Sequence, residues 1–219
     1  MILHARDLYR FFHTGNAETI ALRGVGLTLL PGEIVVVMGP SGSGKSTLLN
    51  CLTGLDEPDA GMVMIGGAPL SHRPEAERAA LRARYLGILL QSGNLFQHLS
   101  VHDNIRLQLR LAGQPDTGQP QAVLENLGLA HRGHARASQL SGGETARAGL
   151  AVALACDPPI LIADEPTAEV DAITENRLLA QFEARRAAGL ATLIATHSEA
   201  LAHRADRILR LKDGSLSHD

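Results

Sequence analysis

The sequence predicts an α/β fold in which a parallel-sheet core carries an N-terminal antiparallel β layer and an inserted α-helical subdomain. Three observations predict it. An apolar run, Ile34-Val35-Val36-Val37-Met38, leads through a glycine-rich loop into a helical stretch, Leu48 to Leu52. Strand, helix and strand signals alternate between Ile160 and Thr196, the pattern of parallel pairing. From Ser92 to Ala155 helical signals dominate and no strand signal is convincing. One domain over residues 1–219 accommodates all three, with 1–91 and 153–219 forming the α/β core and its β layer and 92–152 the helical insertion.

The elements follow in order. Ile2 to Leu8 and Thr19 to Leu30 read as strands of the antiparallel layer, with a loop at His13-Thr14-Gly15-Asn16 and a turn at Pro31-Gly32. After the Leu48 helix, Asp56 to Gly61 is a turn, Met62 to Ile65 a strand before Gly66-Gly67, Glu75 to Arg84 a polar helix, and Tyr85 to Leu90 a buried strand ending on Gln91. In the insertion, Ser100-Val101-His102-Asp103 fits a capping box and Val101, Ile105 and Leu109 recur at helical spacing. Ile105, Leu107, Leu109 and Leu111 also alternate with period two, and the cap and run length favour helix. Gly113 to Pro120 is a loop, and Gln121 to Leu127 a short helix ended by Gly128. Ile160 to Ala163 and Thr192 to Thr196 are strands flanking an amphipathic helix from Ile173 to Ala188, and Arg207 to Leu211 with Ser215-Leu216 makes a closing hairpin about Asp213-Gly214.

Composition narrows the class. Apolar residues are 45% and charged residues 20% of the chain, so it is globular, and a net charge of -3 gives no general pull toward nucleic acid or anionic lipid. The aromatics are Tyr9, Tyr85, Phe11, Phe12, Phe96 and Phe182, too few for a single-strand binder that stacks bases. Cys51 and Cys156 lie in apolar contexts without C-x-x-C spacing and read as buried, reduced thiols. The first residues lack a signal peptide's hydrophobic core, and the longest apolar run, Ala148 to Cys156, falls short of the ~18 residues of a spanning helix. A cytosolic protein is expected, with any membrane role borrowed from a partner.

The chemistry collects at strand ends. Gly39 to Ser46 fits Gly-x-x-x-x-Gly-Lys-Ser/Thr, in which glycines let successive N–H groups point at a phosphate, the helix N-terminus adds its dipole, Lys45 reaches the β and γ phosphates, and the Ser46 hydroxyl can ligate Mg2+. Gly39, Ser41, Gly42, Gly44, Lys45, Ser46 and Thr47 are therefore the candidate cradle of a nucleoside triphosphate. Gln91, Asp164-Glu165 and His197 fall after three other apolar strands, at the edge where open α/β sheets bind ligands. Asp164 is placed to hold the Mg2+ shell, Glu165 to polarise an attacking water, Gln91 to reach the metal or that water, and His197 to hold the γ phosphate. Leu140-Ser141-Gly142-Gly143-Glu144 caps a further helix and offers a second anion site. A single mononucleotide does not need it, which suggests two copies facing each other across the nucleotide.

In these residues the chain resembles the ATPase subunits of ABC transporters. The phosphate loop, Gln91, Leu140 to Glu144, Ile160 to Glu165, Asp171 and His197 match in order that family's Walker A, Q-loop, signature, Walker B, D-loop and switch histidine. Gly39 to Leu49 with Gly54-Leu55-Asp56, Gln139 to Glu144, Ala163 to Thr167, and Ala205 to Arg207 with Asp213-Gly214 are similar to the branch of lipoprotein-releasing and macrolide-export ATPases and their cell-division relatives. The resemblance implies a P-loop NTPase (RecA-like) core that binds ATP and Mg2+. It implies a second copy of the chain whose Ser141 and Gly143 face the γ phosphate held by Lys45, with Asp171 at the contact. It also implies a separate integral membrane subunit at the cytoplasmic face of the inner or plasma membrane, serving lipoprotein, lipid or drug export. Phe12, three residues before Gly15, stands where an aromatic stacks on adenine, with Tyr9 and Phe11 as alternatives. Leu95, Phe96 and Leu99 would either receive a helix of the membrane partner or pack internally.

The chain departs from that pattern in places. Thr145-Ala146 replaces a polar pair before Arg147, Val152 stands for a usual Arg, Ala168-Glu169-Val170-Asp171 for the branch's Gly-Asn-Leu-Asp, and Ser198 for an Asp. Glu169 would add charge near the dimer contact. Two other readings follow: a soluble machine acting on DNA, which the missing heptads, missing Cys clusters and net charge disfavour, and a nucleotide-gated scaffold with little hydrolysis. No nucleic-acid partner is expected.

Overall fold

Apolar residues in alternation open the chain as a long antiparallel pair. In the structure, a computed structural model that describes residues 1–14, 17–168 and 170–217, β1 (Leu3–Thr14) pairs with β2 (Ala17–Leu29) in a register that sets Leu3 against Leu29. β1 runs well past the predicted Leu8. Register shifts at Ala5/Leu8, Leu8/Tyr9 and Arg10/Phe11 break the period-two pattern by which a strand is recognised, and so hid its second half. Of the predicted loop, His13 and Thr14 are strand, while Gly15 and Asn16 lie outside the described residues.

β3 (Ile34–Met38) is buried throughout and feeds α1 (Lys45–Thr53), which Gly54 ends in a left-handed turn. β4 (Ala60–Ile65) starts inside the predicted turn because Ala60 pairs with Tyr9 of β1, and a short β5 (Ala68–Pro69) follows. α2 (Glu75–Tyr85) takes Tyr85 from the predicted strand, leaving β6 (Leu86–Leu89). α3 (Val101–Leu111) confirms helix over strand, because Val101, Ile105 and Leu109 are buried on one face. Its cap is half a box: Ser100 accepts the Asp103 N–H, and the Asp103 carboxylate takes the Ser100 hydroxyl instead of its backbone N–H. α4 (Gln119–Asn126) begins in the predicted loop, since Pro120 fits a first helical turn. α5 (Gly142–Leu154), β7 (Ile160–Asp164), α6 (Ala172–Ala187) and β8 (Ala191–Ala195) fall where the patterns put them. α7 (Glu199–Ala202), one Ser198-capped turn, was too short to show a period; β9 (Arg207–Lys212) and β10 (Ser215–Ser217) form the hairpin.

The strands make two sheets. One runs β10-β9-β3-β8-β7-β6, parallel except for β10, and the other β2-β1-β4-β5, antiparallel. The β layer thus borrows two strands from beyond α1. Alternate residues of the parallel sheet serve two cores: Ile34, Val36, Leu161, Ala163 and Ile194 face the helical side, while Val35, Val37, Ile160, Ile162 and Leu193 face α1 and the antiparallel sheet. A sheet covered on both faces needs unbroken apolar strands, which is why these runs were legible. Cys51 belongs to the second core, its thiol pushed up to about 12 chiefly by burial, whereas Cys156 is only half-buried; both are free.

Arg185 of α6 is buried beneath the sheet's N-terminal edge, donating to the Pro158 carbonyl at 2.9 Å and the Ala191 carbonyl at 3.2 Å. Burial pulls its pKa down to about 10. Arg185→Leu would strand buried carbonyls, so a loss of about 2 kcal/mol and a fall in Tm of roughly 4–8 °C are expected. A melt superimposing on the parent's would remove this role.

Candidate functional site

The phosphate loop is fixed by backbone contacts before any ligand arrives. A Cβ on Gly39 would lie 2.1 Å from the Leu211 carbonyl oxygen; one on Gly44, whose φ is 103°, would lie 2.5 Å from that of Ala21. Glycine is required at both positions because β2 and β9 press on the loop. The Ser43 carbonyl accepts the Gly214 N–H at 3.1 Å, and the Gly214 carbonyl accepts the Arg23 N–H at 2.7 Å, joining the loop to the β9–β10 turn and β2. Lys45 Nζ donates to the carbonyls of Gly39 at 2.8 Å and Pro40 at 3.1 Å, curled over the loop.

Sheet order brings the other strand ends alongside. β3, β8, β7 and β6 are neighbours, so the loop, Thr196-His197, Asp164-Glu165 and Gln91 come to one edge. Asp164 is 7% exposed, and burial holds its carboxyl above the ordinary range against a lowering hydrogen bond from the Ser46 hydroxyl. Glu165 sits at φ 48°, a left-handed conformation that costs a side-chain-bearing residue about 1 kcal/mol or more. That turn aims its carboxylate at β8. Thr196 Oγ1 donates to Oε2 at 3.0 Å, and His197 Nδ1 lies 3.1 Å from Oε1 and 3.0 Å from Oε2. Glu165 is thus held at both oxygens, while the His197 side chain stays 77% exposed.

An open cleft of about 780 Å³ joins these groups. Gly39, Ser41, Gly42, Gly44, Lys45, Ser46, Thr47, Gln91, Asp164, Glu165 and His197 line it, and Phe12 stands on its wall. Tyr9 and Phe11 stack on each other with centroids 6.3 Å apart and do not line the cleft, which singles out Phe12 among the three aromatics.

Ser141, Gly143 and Asp171 gather elsewhere. Ser141 and Glu144 form the expected reciprocal box, at 2.9 Å and 3.3 Å, and Arg132 pairs with Glu144. A Cβ on Gly143 would lie 3.9 Å from the Asp171 carboxylate, which caps α6 through the Thr174 N–H. That bond holds the Asp171 carboxyl below its ordinary range, with Arg147 adding to it. These three residues do not line the first cleft. Gln91 and Glu165 also line a second cleft of about 650 Å³ with Leu140, Gly142 and Thr145, so they stand between the two clusters. Glu169 lies outside the described residues.

Sequence reasoning treated Leu95, Phe96 and Leu99 alike, and the structure separates them. Leu95 is a core residue, Leu99 is half-buried, and Phe96 is 55% exposed over a groove lined by Leu55, Leu90, Leu107, Leu111 and Val152. Thr196 was missed: as the last residue of an apolar strand it carried no signal beyond its place before His197.

Residues 22–168 match the model of the ABC transporter family. The chain belongs to that family. Over 98% of its length it is 39% identical to the lipoprotein-releasing system ATP-binding protein LolD 2 of Caulobacter vibrioides, covering 96% of that protein. It is 42% identical to LolD of Novosphingobium aromaticivorans, covering 98% of each chain. Its whole length is 36% identical to part of the macrolide export ATP-binding/permease protein MacB of Hyphomonas neptunium, covering 34% of that larger protein. Among solved structures, a dimeric ATP-binding cassette in a post-hydrolysis state with ADP and Pi superimposes with a TM-score of 0.94 at 30% identity, over 99% of this chain and 97% of that one. The fold is therefore that of an ABC cassette, with the antiparallel layer and parallel core foreseen, and the chain is an ATP-binding subunit of the transporter type.

Proposed function

We propose that this cassette hydrolyses ATP between two copies of itself and drives a separate membrane subunit at the cytoplasmic face of the membrane. The observation that carries the reading is the convergence of four strand ends on one cleft, with Glu165 held on both oxygens beside the phosphate loop. Gly39, Ser41, Gly42, Gly44 and Thr47 present the loop to the phosphates, and Lys45 exchanges its two carbonyl partners for β and γ oxygens. Phe12 stacks on adenine. Glu165 accepts the proton of the attacking water, and His197, exposed and bonded through Nδ1 to Glu165, turns to the γ phosphate. Ser141, Gly143 and Asp171, absent from the first cleft, serve the partner copy's nucleotide. The dimeric neighbour supports that arrangement, and the names of the whole-length relatives support lipoprotein release as the work done. Phe96 and its groove are the surface offered to the membrane subunit.

The residues fit Mg2+. Among the described residues no group of three or more His, Cys, Asp or Glu side chains could hold a metal alone, whereas Mg2+ uses one or two carboxylates together with substrate phosphates. Ser46 and Asp164 would hold it, with Gln91 in reach of the same cleft. When bound, Mg2+ neutralises charge on the phosphates. In the ligand-free chain the raised pKa of Asp164 means that its charged form is disfavoured by folding, so the fold loses stability as pH rises through that titration. Asp164→Asn is therefore expected to raise the ligand-free Tm at pH 7 by about 2–4 °C while abolishing the further rise on adding ATP with Mg2+. A lower ligand-free Tm would contradict the burial argument.

The reading as a whole is tested by phosphate release from ATP with Mg2+, together with extraction of the protein from its native membranes. Turnover and copurification with an integral membrane protein are expected. An active but wholly soluble pool would overturn the transport half.

A further inference from the structure

Arg10 has no part in the scheme above, yet it is among the most heavily bonded side chains near the cleft. It forms a two-pronged pair with Asp56, Nε to Oδ2 at 2.9 Å and Nη2 to Oδ1 at 3.0 Å. Its third nitrogen, Nη1, donates to both Asp59 oxygens, at 3.2 Å and 3.0 Å. Asp59 also accepts the Phe11 N–H at 2.7 Å, so the backbone between Arg10 and Phe12 is pinned by the same carboxylate. The guanidinium carbon then lies over the Phe12 ring, 4.8 Å from its centroid.

Phe12 lines the cleft and Arg10 does not, so the ring stands between the guanidinium and the space where a base would lie. An aromatic side chain 40% exposed on a strand end has rotamer freedom to lose on meeting a ligand. A planar cation fixed at both prongs restricts that freedom beforehand, while the ring still lines the cleft. Asp56 sits just past the C-terminus of α1, its N–H bonded to the Asn50 carbonyl at 3.1 Å. The helix that offers its N-terminus to the phosphates therefore also anchors, at its other end, the support of the Phe12 ring.

We propose that Arg10 is a positioning residue for the nucleotide base, acting through Phe12, with Asp56 and Asp59 setting its guanidinium. The proposal rests on Phe12 being the adenine platform. It predicts that Arg10 matters to ATP and not to a base-free phosphate chain, because its charge is already met by two carboxylates.

The test is calorimetric titration with ATP and with inorganic tripolyphosphate, each with Mg2+, on the parent, Arg10→Met, Arg10→Lys, Phe12→Ala and the Arg10→Met/Phe12→Ala pair. Arg10→Met and Phe12→Ala should each weaken ATP about tenfold and leave tripolyphosphate within about twofold, and the double variant should be no weaker than Phe12→Ala alone. Arg10→Lys, which keeps a cation but loses the fork, should recover part of the loss and raise KM for ATP at unchanged kcat; it also carries the test should the Met variant not fold. Equal losses for ATP and tripolyphosphate would make Arg10 a staple of the β layer and overturn the proposal. Loss of ATP binding in Phe12→Ala without loss in Arg10→Met would overturn it while leaving the platform standing. Unchanged ATP binding in Phe12→Ala would remove the platform, and the proposal with it.

Discussion

Glu165→Gln is expected to lower ATP turnover about 10²–10⁴-fold while leaving ATP affinity near that of the parent. The amide is the same size as the carboxylate it replaces, and its oxygen can still accept from Thr196 Oγ1 while its nitrogen faces His197 Nδ1. The geometry survives, and what is lost is a base able to take a proton from water. With hydrolysis blocked and binding intact, the ATP-bound dimer should accumulate and elute at twice the mass in size-exclusion chromatography. Single-turnover phosphate release at the parent rate would show that another group is the base. A variant that neither binds nor hydrolyses ATP would point to damage at the strained turn, whose φ of 48° is tolerated only in this environment.

Lys45→Ala is expected to act a step earlier, raising the dissociation constant for ATP roughly 10–100-fold. In the ligand-free chain the ammonium already satisfies two loop carbonyls, at 2.8 Å and 3.1 Å, so binding exchanges partners and does not create them from nothing. That exchange places the effect nearer the lower than the upper end of what a charged hydrogen bond can supply. The loop should keep its shape, because Gly39 and Gly44 are held by β9 and β2 independently of the side chain. Unchanged affinity in a titration would count against the phosphate-loop assignment.

The parallel core was legible because it is buried on both faces, so Ile34 to Met38 and Ile160 to Ala163 are apolar without interruption. Its strand-end residues were legible for the same reason: Gln91 and the Asp164-Glu165 pair directly follow such runs, and His197 follows another with only Thr196 between. The antiparallel layer was less so, since β1 bulges three times and Tyr9-Arg10-Phe11-Phe12 carries no steady alternation. Tertiary pairing, not local pattern, extended it and drew Ala60 and Gly61, the first residues of β4, out of a predicted turn. Leu95 and Phe96 look alike as apolar neighbours, and only the fold around Asn104, whose side chain holds the Phe96 backbone at 2.7 Å, sends one inward and the other out. The bonds to Glu165 and the Arg10–Phe12 contact join residues far apart or unremarkable in sequence. No local signal could have shown them.

The bond between the Ser43 carbonyl and the Gly214 N–H also bears on how the protein comes into being. The glycine-rich loop leaves the ribosome early, but its far wall is made of Leu211 and Gly214, which emerge only after most of the chain has followed. At ordinary rates of synthesis that interval is on the order of ten seconds or more. Throughout it the loop lacks part of its support, so nucleotide should stabilise only chains whose last hairpin has docked. ATP then acts as a late inspector of folding: a nascent or truncated chain ending before that hairpin gains little protection from it, and a completed one gains its full share.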